Sequence, residues 1–249
     1  MPVIRPCVLN VNKPLNWTSR DVLNKLQKIY KFKKFGHAGT LDPLATGVLL
    51  VLVGSHTKKQ SYYMGLPKEY KVRIFFGLYS PTLDLEGPLK YVPLKKPIST
   101  NNIKRYLDSK LGEHPQKVPF YSAVKVKGDP LYKIARKNKT TKIPSKKVIL
   151  YNYKILDFKN QNPKKDYLQD INGLDYKKKL YILRNSLPYV DLWLKTGKGY
   201  YVRSLARDLG EFLKTSAVVG SLQRVAVGDF NVKDSLSLKY FESQPDLIY

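Results

Sequence analysis

Asp42 is the only carboxylate in Gly36-His37-Ala38-Gly39-Thr40-Leu41-Asp42-Pro43-Leu44-Ala45-Thr46-Gly47, a stretch that also holds an imidazole, two threonine hydroxyls and three glycines. A carboxylate so placed can serve as a nucleophile, a general base or an electrostatic partner. The glycines let the backbone turn tightly and bring free N–H groups close to a ligand, while Pro43 confines Asp42 to extended geometry. No Lys-Ser/Thr pair follows, as a phosphate-binding loop requires, and no repeated Gly-x-Gly supports a dinucleotide site. On the loop alone, a structural turn ahead of a strand fits as well as an active site. The three histidines, His37, His56 and His114, lie far apart without cysteine or paired-carboxylate spacing, so no zinc site and no other metal or cofactor is expected. Cys7 is the single cysteine, which excludes an intramolecular disulfide and fits a reducing compartment.

The elements that must hold this loop follow from periodicity. Val48 to Val53 is an unbroken apolar run, the pattern of a strand buried on both faces. Before the loop, Cys7 to Asn12 reads as a strand, and Ser19 as the N-cap of a helix burying Val22, Leu23, Leu26, Ile29 and Tyr30. Lys68 to Phe76 alternates, with Tyr70, Val72, Ile74 and Phe76 on one face. Ser99 or Thr100 caps a helix carrying Ile103, Tyr106, Leu107 and Leu111 and ended by Gly112. Tyr189 to Thr196 is a strand, and Val202, Leu205, Ala206, Leu209, Phe212 and Leu213 form the buried face of a helix, with Arg203 off that face. The segment 160–187 is polar and aperiodic and is expected to be an insertion or mobile loop in a single domain spanning 1–249.

In 249 residues, 45 Lys and Arg against 19 Asp and Glu leave a formal charge of +26, which calls for a polyanionic partner. With 19 Tyr and 9 Phe available for stacking, RNA or single-stranded nucleic acid ranks above a membrane surface, although part of the lysine excess can be solvated drift. Lys31, Lys33 and Lys34 precede the loop, Lys58 and Lys59 follow its strand, and the densest run is Lys133, Arg136, Lys137, Lys139, Lys142, Lys146 and Lys147. These are candidate RNA-backbone contacts. Without a leader-like apolar segment or a membrane-length stretch, the expected location is cytoplasmic.

Ordered motifs between residues 7 and 230 resemble those of the TruB-type pseudouridine synthases. Gly36-His37-x-Gly39-Thr40-Leu41-Asp42-Pro43-x-Ala45-x-Gly47-x-Leu49 is similar to the family's active-site signature. Lys13-Pro14-Leu15-Asn16-Trp17-Thr18-Ser19 resembles its first motif, with Asn16 in place of a glycine; asparagine tolerates left-handed geometry best among the other residues. Lys68-x-Tyr70, Gly77 and Thr82-x-Asp84-x-x-Gly87 resemble another motif of the family, with Pro81 where the family often has a small acidic residue. Val118-Pro119-Phe120-Tyr121-Ser122-Ala123 also looks like a family motif, its second proline replaced by Phe120. Gly199-x-Tyr201-x-Arg203-Ser204-Leu205-x-x-Asp208-Leu209-Gly210 and Ser221-Leu222-Gln223-Arg224 complete the set.

The resemblance implies an α+β pseudouridine synthase catalytic fold, a mixed, largely antiparallel sheet with flanking helices and a central active-site cleft. It implies an enzyme that isomerises uridine 55 in the tRNA T-loop through base flipping. Asp42 would be the catalytic aspartate, Arg203 its ion-pair partner, and Tyr70 the residue stacked on the target base and a candidate for proton transfer at C5. His37, Tyr201 and Leu222 would line the base pocket; Lys31, Lys33, Lys34, Arg136 and Lys137 would touch RNA backbone. Attack at C1′, attack at C6 and a glycal route stay open. Too little chain follows the closing motif for an appended PUA-type domain, so a stand-alone monomer acting on the T-stem-loop without an obligatory protein partner is expected. The guide-RNA-dependent branch of the superfamily and a non-catalytic RNA-binding protein are the alternatives.

Overall fold

The apolar run at Val48–Val53 lies inside the strand Ala45–Val53, and every residue from Val48 to Val53 is fully buried. Leu49, Val51 and Val53 join one apolar cluster and Val48, Leu50 and Leu52 another, so both faces of this strand are covered. The structure, a computed structural model, describes residues 5–137, 139–160, 177–178, 182 and 187–248. The chain forms two compact units, one of Met1–Lys71 with Leu222–Tyr249 and one of Val72–Ser221.

The first unit begins with β1 (Val8–Lys13), α1 (Ser19–Ile29), β2 (Phe35–His37) and β3 (Ala45–Val53). A short 3₁₀ turn and α2 (Gln60–Gly65) lead into β4 (Lys68–Phe76), whose first residues belong to this unit. β1 and β2 pair antiparallel with β3. The N-cap of α1 is Thr18, one residue earlier than the sequence suggested. Asp21 stands at N3, so Thr18 and Asp21 close a reciprocal capping box with bonds of 2.8 and 3.1 Å. Ser19 is thereby freed to turn inward, where its hydroxyl serves the loop described below.

The second unit holds the hairpin β5–β6 (Leu78–Tyr79, Lys90–Tyr91), α3 (Thr100–Asp108), β7 (Gly112–Lys117), the hairpin β8–β9 (Lys125–Val126, Asp129–Pro130) and α4 (Leu131–Arg136). It continues with β10 (Ser145–Lys159), β11 (Tyr189–Thr196), α5 (Val202–Phe212) and the start of β12 (Ala217–Val227). β4, β11, β10 and β7 are neighbours in that order, with β10 antiparallel to both β11 and β7. Ser99 caps α3, but the helix stops at Asp108; Leu111 is exposed and Gly112, at φ +81°, opens β7 instead of ending the helix. Phe212 is likewise exposed, and its ring lies tilted at 44° against that of Tyr106 on α3. Of the segment 160–187, most residues lie outside those described; Ile182 and Leu187 are buried in a cluster with Phe75, Leu85 and Tyr189.

β12 returns to the first unit at Leu222 and runs parallel to β3, with Leu222 opposite Ala45, Gln223 opposite Thr46 and Arg224 opposite Gly47. β13 (Phe230–Asn231) and α6 (Leu238–Ser243) follow, and Phe241 packs with Val22, Leu23 and Leu26 of α1. The described strands thus form a mixed, largely antiparallel sheet with flanking helices. No helix among the described residues is long and apolar enough to cross a membrane.

Candidate active site

The loop of Asp42 is pinned on both sides of that residue. Leu41 N–H donates to the buried Ser19 hydroxyl at 2.9 Å, and the hydroxyl in turn donates to the Leu41 carbonyl at 3.2 Å. On the other side, the Pro43 carbonyl accepts from Asn16 N–H at 2.9 Å and from the Lys13 ammonium at 3.3 Å. Lys13 is fully buried, and its ammonium also donates to the carbonyls of Pro14 (2.8 Å) and Trp17 (2.6 Å), so its charge is solvated by backbone. Asn16 adopts φ +63°, as its place in the first motif predicted. The Asp42 carbonyl accepts from Ala45 N–H at 3.0 Å, closing the turn into β3. The carboxylate is therefore carried on a short segment tied to α1, to the first motif and to a buried strand.

Arg224 supplies a further tie that sequence reasoning did not identify. It is 1% exposed, and its Nε donates to the Val48 carbonyl at 2.7 Å and its Nη2 to the Gly39 carbonyl at 3.1 Å. Tyr70, 8% exposed on β4, interacts electrostatically with the same guanidinium. Burial pulls the arginine below its ordinary value, with the tyrosine opposing that shift; the group remains a cation. A signal did exist in the sequence: β12 alternates Leu222, Arg224 and Ala226 on its buried side, and an arginine in an apolar row must find acceptors inside.

His37, at the end of β2, is half-buried, and burial first, then the Arg20 and Arg224 charges, lower its pKa, favouring the neutral ring. Its Nδ1 is buried without a partner among the described residues, and its carbonyl accepts from Gln60 at 2.8 Å. Leu222 is buried beside Ala45. In the first unit, therefore, the Asp42 loop, His37, Tyr70 and Leu222 share one framework of β2, β3, β4 and β12.

In the second unit, Arg203 is buried, not off the covered face as the helical pattern suggested. The reason is its set of acceptors: Nη1 donates to the Thr82 carbonyl at 2.8 Å and lies 3.6 Å from the Asp84 carboxylate, and Nη2 donates to the Tyr121 carbonyl at 3.1 Å. The motif Thr82-x-Asp84-x-x-Gly87 is a turn wrapped on its own side chains. The Thr82 hydroxyl donates to Asp84 at 2.5 Å and accepts from Gly87 N–H at 3.0 Å, while Asp84 accepts from Glu86 N–H at 3.0 Å. A Cβ at Gly87 would sit 2.7 Å from the Ser80 hydroxyl oxygen, so the turn closes only on glycine. Tyr201 precedes α5 and is clamped by Gln116, whose amide accepts from its N–H at 2.9 Å and donates to its carbonyl at 3.1 Å. Ser204 and Arg207 both donate to the Lys117 carbonyl, at 2.8 and 2.9 Å, docking the first turns of α5 on β7. Neither Asp84 nor Gln116 had been given a role from sequence; Gln116 left no signal there.

The candidate backbone contacts are all at the surface. Lys31, Lys33 and Lys34 are exposed between α1 and β2, and Arg136 and Lys137 are exposed at the end of α4, with Arg136 5.6 Å from the centre of the Tyr132 ring. Lys147, from the same basic run, is paired with Glu113 at 3.0 Å across β10 and β7.

A loop this heavily braced around an aspartate, with a buried arginine bonded to it, can be compared with known proteins. Residues 27–171 match the N-terminal domain of the TruB family of pseudouridylate synthases. The chain is 34% identical over 236 residues to a tRNA pseudouridine synthase B of Trichormus variabilis, covering 95% of this chain and 72% of that protein. It is 34% identical over 242 residues to the same-named protein of Flavobacterium johnsoniae, covering 94% of each. A 37% identical relative from Caldanaerobacter subterraneus covers 93% of this chain and 72% of its own length. Among solved structures, a protein in an archaeal box H/ACA sRNP complex superposes with a TM-score of 0.60 at 19% identity, covering 96% of this chain and 53% of that one. A second, in an H/ACA RNP bound to a substrate RNA containing 2′-deoxyuridine, gives 0.61 at 19%, covering 97% and 56%. This chain spans about half the length of those two, and the likeness concerns the fold. The chain belongs to the TruB family of pseudouridylate synthases.

Proposed function

We propose that this protein isomerises one uridine in the T-loop of tRNA, at position 55, to pseudouridine. The observation that carries the reading is the bracing of Asp42, tied through Leu41 and Pro43 to Ser19, Asn16 and Lys13. Such pre-organisation is what a group needs when it must meet a reacting atom in a fixed geometry. The family membership and the names of the relatives, all tRNA pseudouridine synthase B, support the substrate.

The reaction breaks the C1′–N1 bond, turns the base and forms a C1′–C5 bond; C5 loses a proton and N1 gains one. No electrons are gained or lost, so one ionised carboxylate with the flipped base held in place is sufficient. In this reading Asp42 acts on the ribose or the base, and Arg203 pairs with it, the cation keeping the carboxylate charged as water is excluded. Tyr70 stacks on the flipped base, and His37, Tyr201 and Leu222 form the rest of its surroundings. Neutral His37 suits this role, since its lowered pKa removes a competing positive charge from beside the base. Lys31, Lys33, Lys34, Arg136 and Lys137 hold phosphates, and the protein works in the cytoplasm as a monomer.

The test is purified protein with an isolated T-stem-loop RNA, without metal, nucleotide, guide RNA or partner. Conversion of a single uridine is expected. If the RNA is modified only when a guide RNA or another protein is added, the guide-dependent reading replaces this one.

A further inference from the structure

Tyr62 on α2 is 65% exposed, more than any other large hydrophobic side chain among the described residues, and Met64, two residues on, is 45% exposed. A single apolar ring at the surface is ordinary, but this one is held in place from below. Its neighbour Tyr63 packs against the cluster of Val48, Leu50 and Leu52 and lies edge-on to Phe230 at 6.3 Å, and the Tyr62 ring meets Tyr63 edge-on at 5.1 Å. Both ends of the helix are tied down. The Gln60 side-chain amide donates to the His37 carbonyl at 2.8 Å, and the buried Lys68 ammonium donates to the Met64 and Leu66 carbonyls at 2.5 Å each. The first tie fixes α2 to β2, the strand that leads into the Asp42 loop.

The charge around this ring has one sign. From Pro43 to Lys68 the chain carries no carboxylate, while Lys58 and Lys59, four and three residues before Tyr62, are exposed. Tyr240 supplies the contrast within the same unit. It is 41% exposed on α6 and lies edge-on to the buried Phe241 at 6.0 Å, but Glu242 stands two residues on, paired with Lys25. The two rings are braced alike, and only Tyr62 stands in an acid-free stretch. A braced π-face beside ammonium groups, with no acid to neutralise them, complements a polyanion that has aromatic faces of its own, which is single-stranded RNA. We infer that Tyr62 is a stacking platform for an unpaired nucleobase of the substrate RNA other than the one turned toward Asp42, with Lys58 and Lys59 on the flanking phosphates. Every base has a π-face, so the contact supplies affinity and does not choose the sequence. The inference rests on the functional reading above and adds to it a binding residue that takes no part in the chemistry.

The experiment measures the Kd of an unmodified tRNA transcript by filter binding, over a salt series, for the unsubstituted protein and its variants. Tyr62→Ala is expected to weaken binding at least about fivefold, the low end of what one base stacked on an aromatic ring contributes, whereas Tyr62→Phe keeps the ring and stays within about twofold. Tyr240→Ala, the matched control, is also expected to stay within about twofold. Tyr62→Ala removes no charge, so its plot of log K against log salt keeps the slope of the unsubstituted protein, while Lys58→Ala and Lys59→Ala each flatten that slope by about 0.7. Unchanged Kd in Tyr62→Ala overturns the inference, as does an equal loss in Tyr62→Phe or in Tyr240→Ala; unaltered slopes in both lysine variants overturn the phosphate contacts. Tyr62→Trp reports stacking directly. Its emission, after subtraction of the Trp17 and Trp193 signal of the unsubstituted protein, is expected to be quenched by the RNA, and unquenched emission contradicts the platform. Uridine conversion by the unsubstituted protein with unchanged Kd in Tyr62→Ala removes this inference alone, whereas absent conversion with weakened binding by Tyr62→Ala removes the functional reading alone.

Discussion

Substituting Gly47 by alanine tests how closely the active-site loop and β12 are built against each other. A Cβ at Gly47 would lie 2.3 Å from the carbonyl oxygen of Arg224 and 3.0 and 3.1 Å from its carbonyl carbon and nitrogen. All three are backbone atoms in a paired strand, so none can swing aside as a side-chain tip could. Gly47 also has φ +96°, which costs an alanine about 1–2 kcal/mol. Gly112 provides the control: its φ is +81°, yet a Cβ there would meet nothing within 4 Å. The backbone strain is shared by the two substitutions, and only Gly47→Ala adds overpacking, worth about 1–3 kcal/mol. For a chain of this size, each kcal/mol corresponds to about 2–4 °C in Tm, so Gly47→Ala is expected to melt about 2–12 °C below Gly112→Ala. It should also lose turnover, because displacing the Arg224 backbone moves the guanidinium away from the Gly39 carbonyl that ties the Asp42 loop, whereas Gly112→Ala keeps it. Melting curves and turnover on T-stem-loop RNA decide the matter. Equal Tm losses, or full activity in Gly47→Ala, would show that the contact is not rigid and that the loop does not depend on it.

Two other perturbations address the charged groups. Arg203→Lys should abolish most turnover, because a single ammonium cannot serve Thr82, Tyr121 and a carboxylate in the places the fork reaches; near-normal kcat refutes its proposed part. His37 is held below its ordinary value of 6.5, so on acidification the unfolded chain takes up that proton before the folded one does, and stability falls as the pH drops below about 6.5 toward the lowered folded value. His114 is shifted the same way, so the His37 share is isolated by substitution: the Tm of His37→Gln should fall less between about pH 7 and about pH 5.5 than that of the unsubstituted protein, and parallel pH profiles refute the assignment.

The elements legible in the sequence are those in which one force dominates. The run at Val48–Val53 could only be a strand covered on both faces, and Tyr189–Thr196 alternates cleanly because one side packs and the other does not. β10 was not anticipated: over Ser145–Lys159 the lysines, tyrosines and aspartates blur the alternation, and pairing with β7 and β11 makes it a strand. The burial of Arg203 was hidden for a similar reason, since a helical wheel sees an arginine on the polar side and cannot see the Thr82 and Tyr121 carbonyls brought up from far along the chain. Ser19 gave a half-correct reading, because a Thr-Ser pair offers two caps and the choice is made by Asp21 at N3. Asp42, by contrast, stood out at once as the only acid in a glycine-rich loop, and the residues that brace it, Lys13, Asn16 and Ser19, all lay in the motif recognised beside it.

The most direct test of the central claim is Asp42→Asn assayed on tRNA. The amide keeps the size of the side chain and removes its charge and nucleophilicity, leaving the ties through Leu41 and Pro43 in place. Release of the C5 hydrogen from C5-tritiated uridine measures turnover, and filter binding measures affinity on the same preparation. The account predicts no release above background, with tRNA affinity within about threefold of the unsubstituted protein. Sustained release by Asp42→Asn would contradict it.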